Sequence, residues 1–493
     1  MSDGSLLLGV DIGSSGAKVG AFDARGRLSA KASVAYPTHT PRPGWVEQDP
    51  NAWWAACCRA IREVAAGVET RRIRGVSVVG LSPALVSVDQ HGNVVCPAPI
   101  WSDQRSVAEI GELTERLGPI AGFSPLPRAL WLRRAETDRY RQTCHFFESF
   151  DFISFMLTGE VVTVLPSGLP LPWSRDDIRD IGLDEEKFPT RLSPLGEVIG
   201  GVTPNASAET GLPVGLPVVS GTVDAFAAWV GTATLRRGEL CNTVGTTDGV
   251  ALVWDRPLED PLGRVQSMPH IVERRGKRDW IFGGAMSSGG IVLDWFVRRF
   301  YEQVTDPYRV VSDEAASAPV GADGLLVLPY LVGERSPIND PDARGVFFGV
   351  GEGHRRSHFA RAVLESVALA VRDVCEVIQE AGAQISQITV AGGASRSDVW
   401  NQIKADVIGK PLLVPSVSDS SLLGAAIIAG WGAGVFGNLS EGAETMVQHR
   451  ARFEPNWTHH AHYTELLQFY RDLYRNLKSD FPRLARWARD RTD

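Results

Sequence analysis

Two short turns built from glycine and small hydroxyl residues carry the clearest chemical suggestion in the chain. Gly13, Ser14 and Ser15 interrupt 6-LLLGVDIGSSGAKVGAFDARGRL-28, and Gly245, Thr246 and Thr247 interrupt 239-ELCNTVGTTDGVALVWDRPL-258. Polyphosphate needs several donors at close range, and such turns offer backbone N–H groups with no bulky side chain in the way. Neither is a Walker A loop or a G-x-G-x-x-G fingerprint, because each leads into a second strand rather than a helix. Asp11 stands two positions before Gly13 at a strand end. Its carboxylate either faces phosphate oxygens across a magnesium ion or ties the turn to nearby backbone N–H groups. Asp224, in 217-PVVSGTVDAFAAWVG-231, lies between an apolar strand and an Ala-rich helix, as either an N-cap or a general base in a cleft. In 389-TVAGGASRSDVW-400 the glycines 392 and 393 either let the flat ring of adenosine lie on bare backbone or make a tight strand-to-helix connection.

The elements that must position these residues follow from their surroundings. Each hydroxyl turn is flanked by apolar runs with the grammar of consecutive antiparallel strands, and its recurrence far downstream implies an internal duplication. Two related domains, 1–236 and 237–493, are expected to face a central cleft, each offering its turn to one shared ligand. Between the copies lie a helical stretch at 53–65, a strand at 75–82, and a segment from 165 to 217 whose prolines exclude long helices. Beyond the second copy, Val363, Leu364, Val367, Val371, Val374 and Ile378 recur at helical spacing and lead into a strand at 385–393. A last helical face carries Tyr463, Leu466, Leu467, Tyr470, Leu473, Tyr474 and Leu477. Both of these faces are expected to be core packing.

Composition removes several classes. A chain of 493 residues, 44% hydrophobic, can build more than one core. The six cysteines, at 57, 58, 96, 144, 241 and 375, show neither metal-type nor C-x-x-C spacing, which suits a reducing cytoplasm. A formal charge of −8 opposes a polyanionic backbone as partner, and no run is long enough for a membrane helix. The N-x-S/T triplets at Asn205, Asn438 and Asn456 carry no weight without a signal peptide.

With these blocks in place, the chain resembles the FGGY family of carbohydrate kinases, most closely its xylulokinase-like branch. The resemblance runs through 8-LGVDIGSSGAKVGAFD-23, 43-PGWVEQDPNAWW-54, 100-IWSDQRS-106, 157-LTGE-160, 217-PVVSGTVDAFAAWVGT-232, 243-TVGTTDGV-250, 325-LLVLPYLVGERSPINDPDARGVFFG-349, 361-RAVLESVALAVRD-373 and 390-VAGGASRSDVWNQIKAD-406. It implies an α/β fold of two actin-like ATPase (ribonuclease H-like) domains, ATP with Mg2+ as donor, and a sugar or polyol as acceptor. By the same resemblance, Asp224 falls on the catalytic base and Asp11 on the magnesium-associated acid. Ser14, Ser15, Gly245, Thr246 and Thr247 fall on the phosphate turns, and Gly392, Gly393 and Ala394 on the adenosine run. There a third glycine is usual, and Ala394 is expected to crowd the nucleotide slightly. Trp101 and Asp103 fall in the block that reaches the sugar side. Two segments depart from the pattern: 80-GLSPALVSVD-89 lacks the Met-His pair of xylulokinases, and 163-TVLPSGL-169 replaces their T-D-x-S-x-A-S stretch. The acceptor is therefore expected to be D-xylulose, a related pentulose, or another ketose or polyol. A sugar-binding pseudokinase is the competing reading, and the presence of both Asp11 and Asp224 argues against it. Monomer and homodimer both stay open.

Overall fold

The run Leu6–Ile12 (β1) is buried at every position, as a strand covered on both faces must be. That burial is seen in a computed structural model of the chain, which describes residues 4–118, 124–167, 169, 171, 173–245, 247–274 and 276–489. Thr246 of the second expected phosphate turn, and Gly168 within the departing segment 163–169, lie outside the described residues.

After β1 the chain turns through Ser14 and Ser15 into β2 (Gly16–Asp23), then into β3 (Leu28–Ala35). Helix α1 (Pro50–Ala66) starts with Pro50 at its first position and Asp49 as cap, the Asp49 carboxylate accepting from the Asn51 N–H at 2.9 Å. Its buried face, including Trp53, Cys57, Ile61 and Val64, packs on β2 and β3. Strand β4 (Ile73–Gly80), helix α2 (Ser149–Thr158), strands β5 (Val198–Gly201) and β6 (Pro217–Val219), and helix α3 (Asp224–Gly231) follow. The sheet order is β5-β6-β4-β1-β2-β3, with β1 antiparallel to β2 and parallel to β4.

The second half repeats the plan. Strands β7 (Glu239–Val244), β8 (Asp248–Trp254), β9 (Gln266–Arg274) and β10 (Lys277–Met286) form an antiparallel set and lead into α4 (Gly290–Phe300). The periodic segment forms α5 (Arg356–Glu380), followed by β11 (Gln387–Ala391), α6 (Asp398–Ile408) and β12 (Leu412–Pro415). With β13 (His449–Phe453) the order is β9-β10-β8-β7-β11-β12-β13. Strand β7 is antiparallel to β8 and parallel to β11, as β1 is to β2 and β4.

Two compact units result: Met1–Ala233 with Ser420–Val447, and Thr234–Asp419 with Gln448–Asp493. The expectation of one uninterrupted C-terminal domain from 237 onward differs from this, because the chain returns to the first unit through α7 (Ser420–Gly432). Glycines seat that helix. A Cβ at Gly9 would lie 2.3 Å from the Leu422 carbonyl oxygen, one at Gly231 1.8 Å from that of Ser420, and one at Gly424 2.0 Å from that of Ala227. Any side chain at these points would force α7 away from β1 and α3.

Candidate active site

In the first unit the ends of β1 and β4 meet the segment that leads into α3. The Leu81 N–H donates to the Ile12 carbonyl oxygen at 2.9 Å, and the Gly80 N–H donates to that of Thr222 at 3.2 Å. Gly221 permits this approach, since a Cβ there would sit 1.8 Å from the Val78 carbonyl oxygen. Asp224 is thereby delivered as the first residue of α3, while the cap position falls to Val223. The capping alternative for Asp224 is thus replaced by a half-buried carboxylate whose Oδ1 accepts from the local Ala225 N–H at 2.6 Å. Burial first, and the Asp11 charge second, push its pKa up to about 7; the Ala225 N–H and Lys18 pull the other way.

Asp11 is 4% exposed, and its Oδ2 accepts from the Ser421 hydroxyl at 2.8 Å. The two-residue Ser14–Ser15 loop sets the hairpin register so that Asp11 stands opposite Lys18. The loop itself is exposed but braced: the Tyr36 hydroxyl donates to the Gly13 carbonyl oxygen, and Gln48 Nε2 to that of Ser14 at 2.8 Å. The Trp101 indole N–H donates to Ser14 Oγ at 3.2 Å, so Trp101 joins Asp11, Gly13, Ser14, Ser15 and Asp224 at one end of the sheet.

Asp103 has a different position. Its carboxylate is closed off, accepting from the Val46 N–H at 2.6 Å and from the Arg105 guanidinium at 2.8 Å. Arg105 also pairs with Glu47 at 2.6 Å and lies over the Trp45 ring at 3.9 Å. Both Asp103 oxygens are committed to this cluster, so the residue braces the loop after Trp101 and has no oxygen left for a sugar hydroxyl.

Two acids unforeseen from the sequence stand behind this end of the sheet. Glu148 accepts from the Ala84 N–H at 2.8 Å, and Asp151 from the Val164 N–H at 3.0 Å. Burial raises Glu148 to about 8 and Asp151 to about 7.

In the second unit, the Gly245 N–H donates to the Thr247 carbonyl oxygen at 2.9 Å, closing the turn. Gly289 and Gly290 press against it: the Gly290 N–H donates to the Gly245 carbonyl oxygen at 2.9 Å, and a Cβ at Gly289 would lie 2.5 Å from the Thr247 carbonyl carbon. The positive N-terminal end of α4 therefore begins at the turn. Gly392, at φ +88°, abuts β7, and a Cβ there would be 2.2 Å from the Val244 carbonyl oxygen. A tight connection accounts for Gly392. It does not account for Gly393, which is exposed and would meet nothing within 4 Å if it carried a Cβ. Ala394 is partly buried and packs against the hydrophobic core.

Beneath this turn is a buried polar triad that sequence reasoning also missed. Lys404 Nζ donates to Asn242 Oδ1 at 2.6 Å, Asn242 Nδ2 donates to Asp248 Oδ1, and Lys404 Nζ lies 3.9 Å from Asp248 Oδ2. Burial pushes Asp248 up to about 6 and Lys404 down, while each charge opposes the shift of the other.

The donor set near Asp11 suits a hard, oxygen-seeking cation. Magnesium takes one or two carboxylates plus phosphate oxygens and waters rather than an all-protein cage. Among the described residues no group of three or more His, Cys, Asp or Glu gathers as such a cage. Asp11 and the Ser421 hydroxyl, beside an exposed hydroxyl-rich turn, fit that arrangement.

The two sheets, each with a glycine and hydroxyl turn after its first strand, have the ribonuclease H-like topology of the actin-like ATPase fold. Residues 6–231 match the N-terminal domain, and residues 240–433 the C-terminal domain, of the FGGY family of carbohydrate kinases. The chain belongs to that family and is a carbohydrate kinase, a class that draws its phosphoryl group from ATP. It is 29% identical over 494 residues to the xylulose kinase of Bacillus subtilis (strain 168), covering 96% of this chain and 97% of that protein. It is 27% identical over 512 residues to the gluconokinase of the same organism, covering 98% of each. The crystal structure of a ligand-bound xylulose kinase from Lactobacillus acidophilus superimposes with a TM-score of 0.85 at 23% identity, over 97% of this chain and 100% of that one. Among the described residues no helix is long and apolar enough to cross a membrane.

Proposed function

We propose that the enzyme transfers the γ-phosphoryl group of ATP to a terminal hydroxyl of a small ketose, polyol or sugar acid, with Asp224 as general base. The observation that carries this reading is the pairing of Asp224, pushed up to about 7, with Asp11 and the hydroxyl-rich turn at one end of the sheet. A base poised near neutrality suits proton abstraction from an alcohol in the transition state. Asp224 takes the hydroxyl proton as the acceptor oxygen forms its bond to the γ-phosphorus and the bond from that phosphorus to the β-phosphate oxygen breaks. Backbone N–H groups of the Gly13–Ser15 turn, with Lys18, spread the phosphate charge in the first unit. In the second unit, Thr247 and the N-terminal end of α4 against the Gly245 turn suit phosphate, and the bare backbone at Gly393 suits the adenosine ring. Mg2+ bound with the nucleotide beside Asp11 and Ser421 would neutralise charge on the phosphates. The cytoplasm, where ATP and free thiols coexist, is the proposed compartment.

A reading in which D-xylulose is not the best acceptor is favoured by the changed segments 80–89 and 163–169, and a gluconokinase is nearly as similar to the chain, at 27% identity, as a xylulose kinase at 29%. A site built to hydrogen-bond one substrate loses discrimination when its polar partners go, and Pro83, Ala84 and Leu85 bring no side-chain donor. ADP release measured across D-xylulose, other pentuloses, hexuloses, pentitols, glycerol and gluconate tests both statements. No acceptor-dependent release from any of them sinks the kinase chemistry proposed. A wide kcat/KM preference for D-xylulose sinks only the altered specificity.

A further inference from the structure

The two segments that depart from the xylulokinase pattern lie far apart in the chain, yet one turn of α2 holds both. Glu148, just before α2, accepts from the Ala84 N–H at 2.8 Å and from the Ser82 hydroxyl at 3.3 Å. The Ser149 hydroxyl donates to the Leu81 carbonyl oxygen at 2.7 Å. Asp151 accepts from the Val164 N–H at 3.0 Å and from the Glu148 N–H at 3.2 Å, which joins the two grips. On their other side both segments touch the stretch that delivers Asp224. Gly80, where the first begins, pairs with Val223, and the Thr222 hydroxyl donates to the Pro166 carbonyl oxygen in the second. Ala84 and Leu85 are buried without polar side chains, so the path of residues 82–84 depends on backbone and hydroxyl bonds, and Glu148 supplies one oxygen to each.

We propose that Glu148 is a positioning residue for acceptor specificity: it fixes the Ser82–Ala84 backbone beside the Asp224 segment. The proposal rests on the acceptor-site reading above. Glu148 acts through the loop rather than by contact with the acceptor, and a neutral isostere that still accepts from Ala84 preserves the effect.

The test compares wild type with Glu148→Gln, Glu148→Leu and Ser82→Ala, using acceptor and ATP kinetics at pH 7 over the same acceptor panel, with thermal unfolding alongside. Glu148→Leu is expected to raise the acceptor KM about tenfold and to change the order of preferred acceptors, with the ATP KM within about twofold of wild type. Glu148→Gln is expected to keep the wild-type order. If Glu148→Leu does not fold, Ser82→Ala carries the test with a shift of about two- to threefold in acceptor KM alone. A folded Glu148→Leu with the wild-type acceptor order, or one whose acceptor and ATP KM rise together, overturns the proposal; so does an unchanged acceptor KM in Ser82→Ala when that variant is the one read. Wild type without acceptor-dependent ADP release would instead overturn the functional reading beneath it.

Discussion

The ionisation of Asp224 offers the most direct test of the proposed chemistry. With its pKa pushed up to about 7, a carboxylate that must be ionised to act as base is about 10% active at pH 6 and about 90% active at pH 8. At limiting ATP, where the enzyme is mostly free of nucleotide, kcat/KM for the acceptor should therefore rise roughly tenfold across that interval and then level off. The causes of the shift add a second expectation. After burial, the largest contribution is the negative charge of Asp11. A divalent cation against Asp11 reverses the sign of that contribution, so the limb in kcat, which reports the loaded enzyme, should lie at lower pH than the limb in kcat/KM. Asp224→Asn should lower turnover by about 10²-fold or more and abolish the limb, while ATP binding persists. Initial rates of ADP release between pH 5.5 and 9, in buffers of constant ionic strength, supply both profiles. A limb that survives in a folded Asp224→Asn variant would show that another group titrates, and the assignment of the base would be withdrawn.

Three other perturbations address the supports of the site. Ser421→Ala removes a hydroxyl that donates to Asp11, and a bond to a charged group is worth about 1.5–3 kcal/mol, so the Mg2+ concentration for half-maximal rate should rise about tenfold; an unchanged Mg2+ titration would reduce Ser421 to packing. Lys404→Met leaves Asp248 buried without its cation and should cost about 3–5 kcal/mol in denaturant unfolding with a raised ATP KM. Adding Asp248→Asn should restore part of that stability, and no recovery in the double variant would mean the pair is not coupled. The carboxyls of Glu148 and Asp151 are raised in the folded protein, so stability is fully present below their unfolded pKa values and is lost as pH rises through the folded ones, between about 4 and 8. Glu148→Gln should make the fall in melting temperature across that window shallower than in wild type, and parallel curves would contradict the shift.

What the sequence disclosed, and what it withheld, divides along a physical line. Residues at local turns were legible as candidates: Asp11 near the end of β1, the Gly13–Ser15 loop, Asp224 at the start of α3, and the glycines 392 and 393 after β11. Lys18 was within reach too, because a two-residue loop centred on Ser14 and Ser15 already dictates that it stands opposite Asp11. What was not legible depends on contacts between distant segments. Ser421 lies in a helix apolar on every side, which gives no face by which to assign it to one domain. Asp103 has the residue type of a sugar ligand, and only its enclosure by Val46 and Arg105 reveals a brace.

The same division explains why the acceptor side was the least readable part of the molecule. Phosphate is bound by backbone N–H groups, so the segments that bind it must keep glycines and small hydroxyls in recognisable order. An acceptor pocket can be shaped instead by moving a backbone, and the groups that move it need only be within hydrogen-bond reach in space. Here Glu148, Ser149 and Asp151 grip residues 81, 84 and 164 from a helix start that bears no resemblance to a ligand motif. Loss of polar side chains at 83–85 therefore does not by itself mean loss of a sugar site. It shifts the determinant of specificity from side chains that touch the sugar to the acids that place the loop, and Glu148→Leu against Glu148→Gln is the comparison that separates these two origins.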